Sequence, residues 1–294
     1  MDSHSAPVQS PLFDRENSEK KRIVNVASVK QLSPFRYPGG KTWLVPEVRR
    51  WLSQKPKPPE FIELFAGGGI VGLTVAAEGL ADHVTLVELD PDVGAVWETI
   101  FHGDAEGLAE RILQFDLTLE NVQEVIASSP KSKSEHAFKT ILRNRCCHGG
   151  ILAPGSGLLK YGENGKGLAS RWYPTTLAKR IRHLILLRGR VTFVEGDGLN
   201  TLCQTIHRRD VIYFIDPPYT APGKRAGRRL YTYSEIDHEN LFDLCQKAAG
   251  DLMMTYDDAS SVREMAERRD FHIEPIPMKN THHAEMFELL ITPT

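Results

Sequence analysis

A short apolar strand that runs directly into glycines is the feature that most constrains the fold of this chain. The stretch reads EFIELFAGGG, and the next residues, IVGLTVAAEGL, predict a helix that begins inside the glycine run. A second strand, HVTLVELDPD, then ends in acidic residues. Because strand, loop, helix and strand in this order form the unit of a parallel sheet, we predict a doubly wound α/β fold.

Further strands continue this pattern in the second half of the chain. VTFVEGD, DVIYFIDPPY, DLMMTY and MFELLIT have strand character, and helices are predicted over 237–249 and 260–268. Residues from about 92 to 190 are instead helical and irregular, with a glycine-rich loop over 149–167. We therefore predict a core formed by residues 29–97 and 191–294, a mainly helical insert at 98–190, and a flexible tail at 1–28.

Composition narrows the class of protein. A chain of 294 residues with 41% hydrophobic and 25% charged residues is typical of a globular protein. No apolar run reaches the roughly 18 residues of a membrane span, and the N-terminus lacks a secretory signal, so we expect a cytoplasmic protein without a membrane partner. Cys146, Cys147 and His148 are adjacent, as are His282 and His283, and neither group has metal-ligand spacing, so we expect no metal.

The glycine run also carries a cofactor motif. Gly67, Gly69 and Gly72 match G-x-G-x-x-G between a strand and a helix, and Glu88 ends the second strand. Such glycines let the backbone turn tightly beside an adenosine-bearing ligand, and a carboxylate at the end of the second strand can accept hydrogen bonds from both ribose hydroxyls. A nicotinamide cofactor and S-adenosylmethionine make the same demands, and a plain strand-to-helix turn would use the same glycines.

Two side chains on the first strand have the spacing to face such a ligand. Glu63 and Phe65 are two residues apart, so they lie on the same side of the strand. We therefore count both as candidate cofactor-binding residues. For Phe65, packing in the core is the alternative.

An acid, two prolines and an aromatic ring end the buried strand VIYFI. An adenine amino nitrogen is a poor nucleophile because its lone pair is shared with the ring, and acceptors aimed at its N–H bonds favour a pyramidal nitrogen as charge develops. Asp216 offers a carboxylate, and Pro217 offers a carbonyl that the stiff Pro217-Pro218 turn keeps out of a ladder. Tyr219 offers a face for base stacking. These residues predict methyl transfer to an amine rather than hydride transfer; a plain turn is the alternative.

Positive charge is concentrated in the insert and after the DPPY motif. Residues 139–190 contain eleven Lys and Arg against one acid, Glu163, a net charge of +10. A base inside a duplex cannot reach a pocket at a strand end, so the substrate nucleotide must be flipped or already single-stranded. We expect the basic residues to bind phosphates while the base is extrahelical; a solvated face is the alternative.

Two sets of residues are the candidates for DNA contacts. The phosphate contacts after the motif are Lys224, Arg225, Arg228 and Arg229. The base-edge contacts in the major groove are Arg143, Asn144 and Arg145. For each of the latter three, a position on an ordinary helix surface is the alternative.

With these motifs in this order, the chain resembles the adenine-specific DNA methyltransferases of the alpha arrangement, which include the DNA adenine methylases of bacteria and phages. The resemblance covers roughly residues 33–292 and rests on SPFRYPGGK, FIELFAGGG, LRNRCCHGG with RWYP, YFIDPPY and NTHHAEMFELLI. It implies S-adenosylmethionine as cofactor, double-stranded DNA as substrate, and a methyltransferase sheet with a late antiparallel strand. It further implies that Tyr37 and Lys41 hold cofactor or DNA, that Glu88 binds the ribose, that Asp197 lies near the cofactor adenine, and that Asp216 to Tyr219 bind the target amine.

The chain departs from the family in the recognition region. Cys147 and His148 stand where many members have asparagine, and residues 149–167 lack the usual Phe-Asn pair. The resemblance implies methylation of the 6-amino group of adenine, with a cognate restriction endonuclease as a functional partner. The alternatives are adenine methylation of RNA, amino methylation of cytosine in DNA, a catalytically silent DNA-binding relative and, last, a nicotinamide oxidoreductase.

Overall fold

A seven-stranded sheet organises the protein. The computed structural model describes residues 28–37, 39–153, 155–162, 165–218, 233, 235–279 and 285–294, so nearly all of the tail predicted at 1–28 lies outside the described residues. The sheet has the order β3-β2-β1-β4-β5-β7-β6. Its strands are β1 Glu60–Glu63, β2 His83–Glu88, β3 Val191–Glu195, β4 Val211–Ile215, β5 Asp251–Asp257, β6 Phe271–Lys279 and β7 Glu285–Pro293.

Helices cover both faces of this sheet. They are α1 Val45–Ser53, α2 Ile70–Glu78, α3 Pro91–Phe101, α4 Ala105–Gln114, α5 Leu119–Ala127, α6 Lys133–Cys146, α7 Pro174–Ile185, α8 Gly198–Thr205, α9 His238–Lys247 and α10 Ser260–Glu267. A 3-10 turn, Lys41–Leu44, precedes α1. None of the helices within the described ranges is long and apolar enough to cross a bilayer.

Strand directions agree with the predicted doubly wound sheet. Strands β1 to β5 pair in parallel, whereas β7 runs antiparallel to β5 and β6 antiparallel to β7. The central strand β1 lies between β2 and β4, with Phe61 opposite Val84 on one side and Ile212 on the other. The carboxyl ends of β1, β2 and β4 therefore meet at one edge, where open α/β sheets bind ligands. The predicted fold class, with its late antiparallel strand, is confirmed.

The strand β6 was not predicted, because its sequence, FHIEPIPMK, contains Pro275 and Pro277. Proline lacks the amide donor that a central strand needs, so it is tolerated mainly on edge strands. In the structure β6 is such an edge strand, since it pairs only with β7. Tertiary context therefore overrides a sequence that argues against a strand.

The apolar core forms two clusters. One contains Trp97 of α3 and continues into the helices of the predicted insert through Ile112, Phe138 and Ile181, all of which are fully buried. The other contains Tyr213, Phe242 and Tyr256 on the side of α8, α9 and α10. Helix α6 packs on α3, and α7 on α4, so the insert shares its core with the sheet. The predicted boundary at residue 98 falls within α3.

Candidate active site

One cleft lies at the carboxyl edge of β1 and β4. The open space in and around it is about 660 Å³. It brings together nine residues that the sequence predicts for the site: Tyr37, Lys41, Glu63, Phe65, Gly67, Gly69, Asp216, Pro217 and Pro218. Asp90 and Tyr233 line it as well and were not predicted. The glycine loop and the DPPY acid thus share one cavity, whereas Tyr219 lies outside the described residues.

Two aromatic side chains, Tyr37 and Trp97, contact the glycine loop. Gly67 has a φ of 47°, a conformation that favours glycine, and a Cβ atom there would meet Cε1 of Tyr37 at 2.6 Å. The indole Nε1 of Trp97 donates to the Gly67 carbonyl over 2.9 Å. Gly69 then forms the N-cap of α2. The Tyr37 ring therefore packs directly on a loop that has no room for side chains.

Glu88 organises this loop from the end of β2. Its carboxylate accepts hydrogen bonds from the amide of Gly67 at 2.7 Å and from the amide of Asp90 at 2.8 Å. Burial raises the pKa of Glu88 to about 7, while the two amide donors lower it. Asp90, rather than Glu88, lines the cleft, and it also caps α3 by accepting from the amide of Asp92. The signal for Asp90 was present in ELDPD, because an acid before proline is typical of a helix start.

Glu63 is a buried acid in the wall of the cleft. Its Oε2 accepts from the amide of Gly72 at 2.7 Å, and a Cβ atom at Gly72 would lie 2.6 Å from that oxygen. Burial raises the pKa of Glu63 to about 8, and the nearby charges of Asp216 and Glu88 raise it further. The third glycine of the motif therefore allows α2 to approach this carboxylate closely.

Asp216 is held by a lysine and a threonine. Lys41 Nζ lies 3.1 Å from Asp216 Oδ1, and Thr255 of β5 donates to the same oxygen over 2.8 Å. Lys41 is buried and also lies 3.2 Å from Oε2 of Glu288 on β7. Burial raises the pKa of Asp216, whereas Lys41 and Thr255 lower it. The two contacts orient the carboxylate through Oδ1.

Glu288 is a buried acid that sequence reasoning missed. Burial raises its pKa to about 7, Lys41 lowers it, and the charge of Asp216 raises it. It reaches the site because β7 pairs antiparallel with β5, which places Glu288 opposite Asp257. The sequence offered one signal, a charged residue inside the apolar run MFELLIT. Thr255 gave no comparable signal.

Asp197 has a structural contact in the described chain. It is the N-cap of α8, and its side chain accepts from the amide of Leu199 at 2.9 Å. It does not line the cleft, but the neighbouring Gly196 amide donates to the Glu88 carbonyl over 2.9 Å. The structure therefore places Asp197 beside the end of β2, and its cofactor contact stays a prediction.

The three candidate base readers have internal partners. Arg143 donates to Asp92 and to the Leu152 carbonyl. Asn144 is fully buried, and Arg145 is buried and donates to the Pro34 carbonyl. Asn144 and Arg145 therefore have structural contacts within the protein, and their base contacts stay a prediction. A helix pattern does not reveal which face tertiary partners will cover.

Asn144 connects two segments beside the cleft. Its Oδ1 accepts from the Arg36 amide at 2.8 Å, and its Nδ2 donates to the carbonyls of Arg36 at 2.9 Å and Gly150 at 2.7 Å. Arg180 of α7 donates to the Ser33 carbonyl at 3.0 Å. The insert thereby fixes the segment that carries Tyr37 into the cleft.

The remaining predictions concern the basic residues after the DPPY motif and the candidate metal ligands. Lys224, Arg225, Arg228 and Arg229 lie outside the described residues, as do His282 and His283. Within the described residues, no group of three or more His, Cys, Asp and Glu side chains could hold a metal ion. The four cysteines are free thiols.

The sheet order, the antiparallel β7 and the glycine-loop cleft are those of a Rossmann-like methyltransferase fold. Residues 37–140 match the family model of the D12 class N6 adenine-specific DNA methyltransferases, which confirms the resemblance read from the sequence. This match includes the glycine loop and part of the insert, and Asp216 lies beyond it. Family and fold together imply S-adenosylmethionine as the cofactor.

Three solved structures share a distant likeness with the chain. A Pyrococcus horikoshii protein assigned as an RNA methyltransferase is 11% identical, with 91% of this chain and 92% of that chain covered and a TM-score of 0.39. YhhF of Escherichia coli, assigned as a methyltransferase, is 12% identical, with 89% and 90% covered and a TM-score of 0.36. Precorrin-6y C5,15-methyltransferase of Geobacter metallireducens is 10% identical, with 84% and 87% covered and a TM-score of 0.38. No curated protein matches the chain significantly in sequence.

Proposed function

We propose that the protein transfers a methyl group from S-adenosylmethionine to the 6-amino group of adenine in double-stranded DNA, with the target base flipped out of the duplex. The observation that carries this proposal is the shared cleft, in which Asp216 and Pro217 face the same cavity as Gly67 and Gly69. The family match over residues 37–140 supports adenine as the target.

The cleft fits the cofactor that family and fold imply. S-adenosylmethionine supplies an electrophilic methyl group when bound. Gly67 and Gly69 would let its adenosine part lie close to the loop, and Glu63 and Asp90, which line the cleft, would accept from its hydroxyl and ammonium groups. The predicted ribose contact of Glu88, whose carboxylate holds the loop amides, is part of the same proposal. A carboxylate near a cation is stabilised in its charged form, which offsets the burial of these acids.

Asp216 and Pro217 would orient the acceptor amine. Lys41 and Thr255 both contact Oδ1 of Asp216, so Oδ2 is the oxygen placed to accept from an amino N–H. The carbonyl of Pro217 would accept from the second N–H, because the following Pro218 keeps the turn out of a strand ladder. No covalent intermediate is required, since the methylated ammonium is acidic and loses its proton easily. The step therefore depends on proximity and on preset acceptors.

Substitution of Asp216 tests these roles. Asp216→Ala should lower methyl transfer to adenine in duplex DNA by at least about 100-fold, because a preorganised acceptor is lost. Binding of S-adenosylmethionine, measured by calorimetry, should persist. Asp251→Ala is the matched control, since Asp251 begins β5 at the opposite edge of the sheet, and it should leave methyl transfer unchanged. Full activity of Asp216→Ala would refute the assignment.

The remaining proposals concern domains, partners and location. We assign residues 98–190 to DNA recognition, and 29–97 with 191–294 to catalysis. The basic run at 224–229 would contact phosphates while the base is extrahelical. The protein would act on cytoplasmic DNA, with a cognate restriction endonuclease as a functional partner. Restriction of unmethylated DNA in cells that lack this protein would reveal such a nuclease.

A further inference from the structure

A second cleft, with about 860 Å³ of open space in and around it, lies next to the segment that carries Tyr37. Three cationic side chains line it, Arg36, Lys160 and Arg171, together with His148 and Ser170. No acidic residue is among the described residues of its lining. Tyr161, whose side chain is 82% exposed, stands at the same cleft. This composition favours an anion with an adjoining flat or apolar part.

Neighbouring residues of one segment line the two clefts. Arg36 lines the second cleft, and Tyr37 lines the active-site cleft. A DNA strand whose base enters the active-site cleft would therefore run along the same segment of the protein as the second cleft.

Four arginines influence one another electrostatically in and around this cleft. Burial lowers the pKa of Arg145, in α6, to about 9, and the charges of Arg180, Arg36 and Arg171 lower it further. Burial likewise lowers the pKa of Arg36, and Arg171 lowers it further. Among the residues that the structure describes, the buried Nε of Arg145 has no hydrogen-bond partner. Like charges held together in this way are stabilised by a bound anion.

The backbone that carries Arg36 is fixed before any ligand binds. Asn144 makes hydrogen bonds to both the amide and the carbonyl of Arg36, and Arg145 and Arg180 hold the carbonyls of Pro34 and Ser33. These contacts use only main-chain atoms of the segment 33–36. Substitution of the Arg36 side chain should therefore leave its backbone position intact.

We propose that the second cleft, lined by Arg36, Lys160 and Arg171, binds a backbone phosphate of the target DNA strand next to the flipped nucleotide. This inference rests on the proposed function and adds a phosphate subsite in which Arg36 holds the strand in register with the active site. A guanidinium suits this task because its donors match the geometry of phosphate oxygens.

Neutralising single phosphates tests the subsite. The probe is a duplex that contains the methylated site, in which each phosphate around the target adenine is replaced in turn by an uncharged methylphosphonate. The wild-type protein should lose about tenfold in affinity at one or two adjacent positions. Arg36→Gln and Arg171→Gln should bind the unmodified duplex about tenfold more weakly than the wild type does. Their affinity should not fall further when the phosphates at those positions are replaced by methylphosphonate. For both variants, the slope of log affinity against log salt concentration should become shallower by about 0.9 for each lost phosphate contact.

Lys179→Gln is the matched control, because Lys179 is an exposed cation of the same basic stretch and lines neither cleft. It should keep the methylphosphonate sensitivity of the wild type. S-adenosylmethionine affinity and melting temperature should be unchanged in Arg36→Gln, which shows that the variant is folded.

Two results would overturn the subsite. One is an affinity loss in Arg36→Gln that simply adds to the effect of methylphosphonate substitution at every phosphate position, as expected for a diffuse charge effect. The other is tight binding of inorganic phosphate alone that Arg36→Gln abolishes while duplex affinity stays normal, which would mark a site for a free anion. A wild-type protein that methylates no DNA would instead refute the proposed function itself.

Discussion

At the scale of single residues, the buried Lys41 is the main partner of Asp216, the carboxylate proposed to bind the target amine. It lies between Asp216 and Glu288, two acids that would repel each other without it. Removing one partner of a buried charge pair is strongly destabilising because the other charges lose their compensation. The lysine thus has a positioning role in addition to any contact with ligand.

Lys41→Met should therefore impair both stability and turnover. We expect a loss of about 3 kcal/mol in the free energy of unfolding and about 100-fold in kcat, because the Asp216 carboxylate loses its orientation. Chemical denaturation and single-turnover methylation measure the two effects. Lys57→Gln removes an exposed ion pair with Asp82 and should change stability by no more than about 1 kcal/mol. Wild-type kcat in Lys41→Met would contradict the positioning role.

Glu288→Gln removes the negative charge of this side chain and keeps its size, so the variant tests the effect of the charge alone. Because the pKa of Glu288 is raised to about 7, its ionisation changes the field at Lys41 near neutral pH. We expect the pH profile of kcat to show an inflection near pH 7 that the glutamine variant lacks. An identical profile in both proteins would show that Glu288 does not influence turnover.

The buried Glu63 makes stability depend on pH. Its pKa is raised from 4.5 to about 8, so the folded state holds the proton more tightly than the unfolded state. The resulting stabilisation is fully present below about pH 4.5 and is lost as the pH rises through about 8. The melting temperature of the cofactor-free protein should fall across this range, and Glu63→Gln should flatten the fall. A wild-type curve that rises between pH 5 and 8, with no difference from Glu63→Gln, would contradict this expectation.

At the scale of elements, α6 connects the insert to the active site through Asn144. The side chain makes three hydrogen bonds to main-chain atoms of Arg36 and Gly150. Asn144→Ala leaves buried polar groups without partners, and each such group costs about 1 to 3 kcal/mol. The segment that carries Tyr37 would then lose its fixed position beside the glycine loop.

We expect Asn144→Ala to lower the free energy of unfolding by about 2 to 4 kcal/mol and to weaken S-adenosylmethionine binding. Thermal unfolding with and without cofactor measures both. Asn200→Ala is the control, since Asn200 is an exposed residue of α8, and it should change neither quantity. Unaltered stability in Asn144→Ala would show that these hydrogen bonds are dispensable.

Elements also show how far the sequence predicts this fold. The strands β1, β2 and β4 were predicted because each is an apolar run that ends in glycine, acid or proline, and parallel topology then brings those ends together. β6 was not predicted, because prolines hide an edge strand that only its pairing with β7 defines. Asn144 and Glu288 depend on partners distant in sequence, so local patterns could not assign their roles.

At the scale of the whole molecule, the sheet and the insert form one chemical unit. The sheet supplies the cleft with the glycine loop and Asp216, while α6 and α7 hold the segment 33–37 that separates this cleft from the basic one. Much of the insert's charge is used internally, as with Arg182, which pairs with Glu106 and Glu110, and Arg188, which caps carbonyls. The net charge of +10 over residues 139–190 therefore overstates the positive charge that would be available to DNA.

The most direct test of the central claim is the identity of the methylated nucleoside. Purified protein is incubated with S-adenosylmethionine and duplex DNA, and the DNA is digested to nucleosides for mass spectrometry, with an RNA substrate in parallel. We predict N6-methyladenine from the DNA, at least about 100-fold less of it from the Asp216→Ala reaction, and none from the RNA. Methylcytosine, methylated RNA alone or no methylated nucleoside from the wild-type reaction would contradict the account.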